Sequence, residues 1–349
     1  MSAYDRHDPP SAPVVVVRDR ARVVDAEERR SHGRDHWVDG TFGRFEQGRR
    51  SVVLSPNGPN VLRQERRRPR RRGVIDLDAG PGTDVAIAGL PPLVDYASGG
   101  PVFHDDRRGV TLLFYHGEVH HLGDATRFWS FIGVAVSRDA GVHFRDLGPV
   151  VEPHESLVHW LDHGDRCVEI GSGGFVVADG EFDLYFTDAS APMPVNLGAV
   201  HAPVDEVVDA AVRGEGVAWR RRRSRTNPFD ASDLFPRRWG FHFVRWFDVA
   251  VDRETGRRLM IYSCESFGRW NLFVTWSDDG TIWSAPTPLL ERPSAVERLY
   301  VTIDSGVDGE PRRVVASELS LYVVASAVGG FDRWDDATIE RWNLSITER

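Results

Sequence analysis

Apolar positions in this chain come as short runs of aliphatic, β-branched and aromatic residues. Each run is closed by a polar, glycine-bearing turn, a spacing that predicts strands. Two stretches repeat one pattern. Ile132 to Phe144 and Leu272 to Trp283 each run as an apolar strand, then Ser-x-Asp, then a glycine, then an aromatic residue that opens the next strand. A second set recurs at Leu112 to Tyr115, Asp183 to Phe186, Leu259 to Tyr262 and Leu319 to Tyr322, each after a polar glycine turn. The best helix candidate, Val204 to Val212, reads as an insertion after a third strand.

Ser137 and Ser277 are 140 positions apart, and the last residues of the second set are spaced by 71, 76 and 60. A unit of about 70 residues fits about five times into the chain. The expected fold is all-β: a five-bladed β-propeller of four-stranded antiparallel blades, with a β-sandwich as the structural rival. Its innermost strands begin near Asp39, Gly99, Glu169, Asp248 and Tyr300. The last unit supplies about three strands, ending at Trp342 to Thr347, so the run Val14 to Val17 is available to complete that blade and lock the ring. Residues 1–12 read as a polar, proline-rich tail and 13–349 as one domain, because no linker interrupts the repeat.

Composition narrows the class. No apolar stretch approaches the length of a membrane span, and residues 1–13 lack the pattern of a secretory signal, so a cytoplasmic location and no membrane partner are expected. Two cysteines, Cys167 and Cys264, are too few for a disulfide framework. All 43 basic residues are arginine, which rules out a catalytic lysine amine or Schiff base. A net charge of −9 argues against nucleic acid as a partner. The arginine runs at 66–72 and 220–225 are expected as solvated loops or blade edges.

In a four-stranded meander, alternate connections share a face. The tight glycine turns and both Ser-x-Asp turns fall on one face, where Ser and Asp hold a turn by accepting backbone N–H groups. The other face takes the longer connections: 116–126, 152–165, 221–241, 263–270 and 329–336. It is therefore the candidate binding face. There the innermost strands bring Asp39, Glu169 and Asp248 into one narrow throat, where burial and mutual repulsion raise at least one pKa. One protonated and one ionised carboxyl are what glycoside hydrolysis requires. Trp37, Trp239 and Trp246, with Arg245 and Tyr300, are the expected lining, and tryptophan faces suit apolar sugar surfaces. His116, Glu118 and His120 alternate along an extended run and point one way, which fits either substrate hydrogen bonding or a metal ion.

At this point the chain resembles the five-bladed propeller glycoside hydrolases of families 43, 32 and 68. The resemblance rests on Ser137 to Phe144, Ser277 to Trp283, Gly99 to Val102 followed by Leu112 to His116, and Trp37 to Phe42. It implies Asp39 as base or nucleophile and Glu169 as general acid. Family 43 adds an Asp on the second blade that tunes the acid. Here that strand reads Ser98-Gly99-Gly100, with Asp95 upstream and Glu118 in an expected loop, so Asp248 is the candidate substitute. The function expected is cleavage of a furanosidic or similar bond in a small glycan, without an organic cofactor. Two alternatives keep the fold: a propeller recruited to tailor a small molecule in the cytoplasm, and a non-catalytic sugar-binding propeller.

Overall fold

The computed structural model describes residues 12–34, 37–67, 75, 77, 82–163, 166–190, 196–222, 245–266, 269–304, 313–326 and 335–347. Strands dominate, in five mainly antiparallel sheets taken in chain order. Blade I comprises Gly43–Gln47, Arg50–Asn57, Asn60–Arg67 and Thr83–Val85. Blade II has a divided innermost strand, Tyr96–Ser98 and Val102–Asp105, then Val110–His121, Asp124–Ser137 and Phe144–Val151. Blade III comprises Glu169–Ala178, Glu181–Ala189, Asn196–Pro203 and Arg220–Arg221. Blade IV comprises Arg245–Asp252, Arg258–Ser266, Arg269–Ser277 and Thr287–Pro288. Blade V holds Glu297–Asp304, Glu318–Ser326 and Thr338–Thr347, and its outermost strand is Val14–Val24, from the other end of the chain. Val14 pairs with Thr347 and Val24 with Ile339, so the first strand closes the last blade.

The core lies between blades rather than within any one of them, because each twisted sheet buries both faces against its neighbours. Five clusters fill the five seams. Leu54 and Val85 meet Leu113 and Phe144; Phe114 and Ile132 meet Phe175 and Phe182; Tyr185 and Leu197 meet Phe247 and Met260; Ile261 and Trp276 meet Val301 and Leu321; Trp37 and Phe42 meet Tyr322 and Ile339. Buried carboxylates reinforce three seams. Asp183 of blade III binds Arg258 of blade IV at 2.7 Å, Asp248 of blade IV accepts from the Ile303 amide of blade V at 2.8 Å, and Asp304 of blade V accepts from the Ile75 amide at 2.8 Å.

The Ser-x-Asp turns are structural. Ser137 Oγ accepts from the Gly141 amide and Ser277 Oγ from the Gly280 amide, both at 2.8 Å. Asp139 and Asp279 accept the next amides at 2.8 to 2.9 Å. Phe144 and Trp283 then drop into seams between blades.

Helix Val204–Arg213 follows the third strand of blade III, and its buried side packs against the seam between blades II and III. Two expected loops are instead ordered. Residues 116–126 continue as the tip of a long hairpin, and Leu157–His163 forms a short helix. Among the described residues, no helix is long and apolar enough to cross a membrane.

Candidate active site

The throat is built where the innermost strands of blades I and II nearly touch. Asp39 lies in the turn before Gly43–Gln47, and its backbone carbonyl accepts from Ser98 Oγ at 2.7 Å. A Cβ on Gly100 would sit 2.2 Å from the Phe114 carbonyl, so only glycine lets blade II break its innermost strand here. The Asp39 carboxylate is held from two blades: Tyr300 donates to Oδ1 at 2.9 Å, and Tyr96 donates to Oδ2. Burial first, then the charge of Glu118, pushes the Asp39 pKa up to about 7, against the opposing effects of Tyr300 and His116. Burial and the Asp39 charge raise the Tyr300 hydroxyl well above its ordinary range, so it stays a donor.

Bulges aim side chains into this space. The innermost strands of blades III, IV and V each slip register near their start, between Gly171 and Gly174, Arg245 and Asp248, and Leu299 and Thr302. Trp246 and Tyr300 take φ values of 47° and 46° at these slips. Such left-handed backbone costs about 1–3 kcal/mol for a non-glycine residue and persists only where the surroundings impose it. The two rings meet at 6.1 Å, and Trp270 packs on Trp246 at 5.6 Å, forming an aromatic wall beside the carboxylate.

Blade II contributes a chain of titratable groups. Asp95 bonds His120 Nδ1 at 2.8 Å, His120 Nε2 lies 3.0 Å from Glu118, and the other Glu118 oxygen lies 2.9 Å from His116 Nε2. Burial opposes the Glu118 charge, yet the two imidazoles hold its pKa down at about 2. Its hydrogen bond to Glu118 lifts His120 to about 9. Burial opposes a charge on His116, but Glu118, Glu169 and Asp39 together raise its pKa. Both facing nitrogens of His116 and His120 therefore lie within hydrogen-bond reach of the Glu118 carboxylate. Among the described residues, no group of three or more His, Cys, Asp or Glu is arranged to hold a metal ion.

Of the other expected residues, Glu169 opens the innermost strand of blade III, and its carboxylate crosses over Gly171, where a Cβ would lie 2.6 Å from Oε1. Its charge acts on both His116 and Tyr300, as does that of Asp39, so these four groups share one throat. Glu118 reaches the same place, corrected from a loop to the strand Val110–His121. Two expectations are corrected outright. Trp37 is fully buried against Phe42 with Arg34 over its ring, so it belongs to the core rather than to the lining of the throat. Asp248 is also fully buried, and its oxygens are taken by the Val249 and Ile303 amides and by Arg313. It ties blades IV and V together instead of serving as the expected tuner or anchor. Trp239 lies outside the described residues, as does the side chain of Arg245, whose backbone begins blade IV.

Sequence reasoning missed Tyr96. A lone tyrosine ahead of a Gly-Gly pair carries no periodic signal, and only the neighbouring blade shows what it meets. A separate recess of about 670 Å³ is lined by Arg44, Glu46, His104, Asp105, Asp304 and Arg313. Within it Asp105 pairs with Arg108 and Asp304 with Arg44.

The fold is a five-bladed β-propeller with a cluster of carboxylates, imidazoles and phenols in its throat. Three solved structures share this fold. The chain is similar to the catalytic domain of a Coprinopsis cinerea family 62 α-L-arabinofuranosidase, at 10% identity over 87% of this chain and 90% of that one, with a TM-score of 0.56. It is similar to a Podospora anserina α-L-arabinofuranosidase solved with cellotriose, at 10% identity over 89% and 92%, with a TM-score of 0.53. A family 117 glycoside hydrolase from Zobellia galactanivorans matches at 12% identity over 89% and 87%, with a TM-score of 0.50. No family model matches the sequence, and no curated protein does.

Proposed function

We propose that the protein hydrolyses a furanosidic or similar glycosidic bond in a small glycan, with Asp39 as base and Glu169 as general acid. The observation that carries this is the Asp39 carboxylate, gripped by hydroxyls from blades II and V in a throat that also receives Glu169. An aspartate poised near neutrality is a far stronger base than an exposed one and is still substantially ionised at pH 7. Water attacks the anomeric carbon and passes its proton to Asp39. The bond from that carbon to the leaving oxygen breaks, and that oxygen takes the proton of Glu169. Glu118, kept anionic by its two histidines, stabilises positive charge developing on the sugar ring and takes the second-blade place for which Asp248 was expected. Trp246 and Trp270 offer an apolar face to the sugar.

The test is turnover of aryl furanosides and pyranosides by purified wild type, Asp39→Asn and Glu169→Gln. Both variants are expected to lose at least about 100-fold in kcat while keeping the wild-type circular dichroism spectrum. Near-normal rates in both would remove this mechanism. Glycan binding without any turnover in the wild type would instead favour a lectin-like role.

A further inference from the structure

Asp39 is met from two sides by phenol hydroxyls carried on non-sequential blades. Tyr96 comes from the short innermost strand of blade II and Tyr300 from the bulge of blade V. Tyr300 holds a left-handed φ of 46° at the bulge, and its hydroxyl donates to Asp39 Oδ1 at 2.9 Å. Its ring meets Trp246 at 6.1 Å, while Tyr96 stands edge-on to His120 at 6.3 Å. Each carboxylate oxygen has two acceptor directions, so one tyrosine on each still leaves room for a water.

We propose that Tyr96 and Tyr300 are positioning residues that clamp the two oxygens of Asp39 from separate blades, fixing the rotamer and favouring the ionised form of the base. The proposal rests on Asp39 acting as base in the reading above. The groups acting on this carboxylate are Tyr96 from the innermost strand of blade II, His116 and Glu118 from its second strand and Tyr300 from blade V; Ser98 holds the Asp39 backbone carbonyl, and Glu169 of blade III acts on Tyr300 and His116. Burial and Glu118 oppose ionisation, whereas Tyr300 and His116 support it. A donor to the charged form lowers a pKa, so deleting either hydroxyl moves Asp39 ionisation to higher pH.

Tyr96→Phe and Tyr300→Phe test this by carbon-13 titration of side-chain carboxyls, with the Asp39 signal assigned by its loss in Asp39→Asn. Each variant is expected to raise the Asp39 midpoint by about one pH unit. The rising limb of kcat/KM should move with it, so that activity falls up to about tenfold at low to neutral pH and recovers in alkali. Rings that merely filled space would lower the melting temperature without moving the titration. An unmoved midpoint in the folded variants overturns the clamp. Should Tyr300→Phe fail to fold, Tyr96→Phe decides alone, because it removes a donor from the other oxygen. A moved midpoint in a protein that cleaves no glycoside leaves the clamp standing and removes the hydrolytic reading. An unmoved midpoint in an enzyme that still needs Asp39 does the reverse.

Discussion

At the scale of single residues, the site is held against the stability of the fold. Asp39 ionises near 3.8 in an unfolded chain and at about 7 in the native throat. Between those values the native state keeps a proton that the unfolded state has released, so stability falls as pH rises through this window. The full penalty applies above pH 7 and amounts to at most about 4 kcal/mol. Asp39→Asn carries no charge to desolvate. It is therefore expected to resist urea better than wild type at pH 8, with the difference shrinking to nothing near pH 4. An advantage of equal size at both pH values would contradict the assignment of a strained, buried base. Glu118 behaves oppositely: its stabilisation is present above its unfolded value of 4.5 and is lost as pH falls through about 2.

At the scale of elements, the same type of side chain serves two ends, and position alone separates them. Asp39 stands before its strand and faces the throat, whereas Asp248 stands three residues inside its strand and faces the seam. Removing Asp248 leaves Arg313 and two amides without their acceptor in a fully buried place. Asp248→Ala is expected to cost about 3–5 kcal/mol, read as a lowered urea midpoint, with kcat/KM of the folded protein near wild type. Wild-type stability combined with lost turnover would return Asp248 to the chemistry. Strand order, the Ser-x-Asp turns and the helix after blade III were legible from the sequence, because period and turn chemistry are local properties. The bulges were not, since a register slip shows only against the partner strand. Nor was the strand that carries Glu118: the polar tip of the hairpin at 116–126 reads as a loop until its pairing is seen. Trp37 shows the same limit, for an aromatic count cannot tell the throat from the core beneath it.

At the scale of the whole molecule, closure is what makes the site possible. Asp39 and Tyr300 are 261 positions apart, yet their side chains bond, because Val14–Val24 pairs with Thr338–Thr347 and brings blade V beside blade I. The proposed division of labour across that ring can be read through the leaving group. A good leaving group departs without a proton, whereas a poor one needs the general acid; a base is needed for either. The decisive measurement is kcat for Glu169→Gln and Asp39→Asn on a nitrophenyl furanoside and on the corresponding alkyl furanoside. Glu169→Gln should keep much of its rate on the nitrophenyl substrate and lose it on the alkyl one, while Asp39→Asn loses both. Equal losses in Glu169→Gln on the two substrates, or none in either variant, would contradict the account.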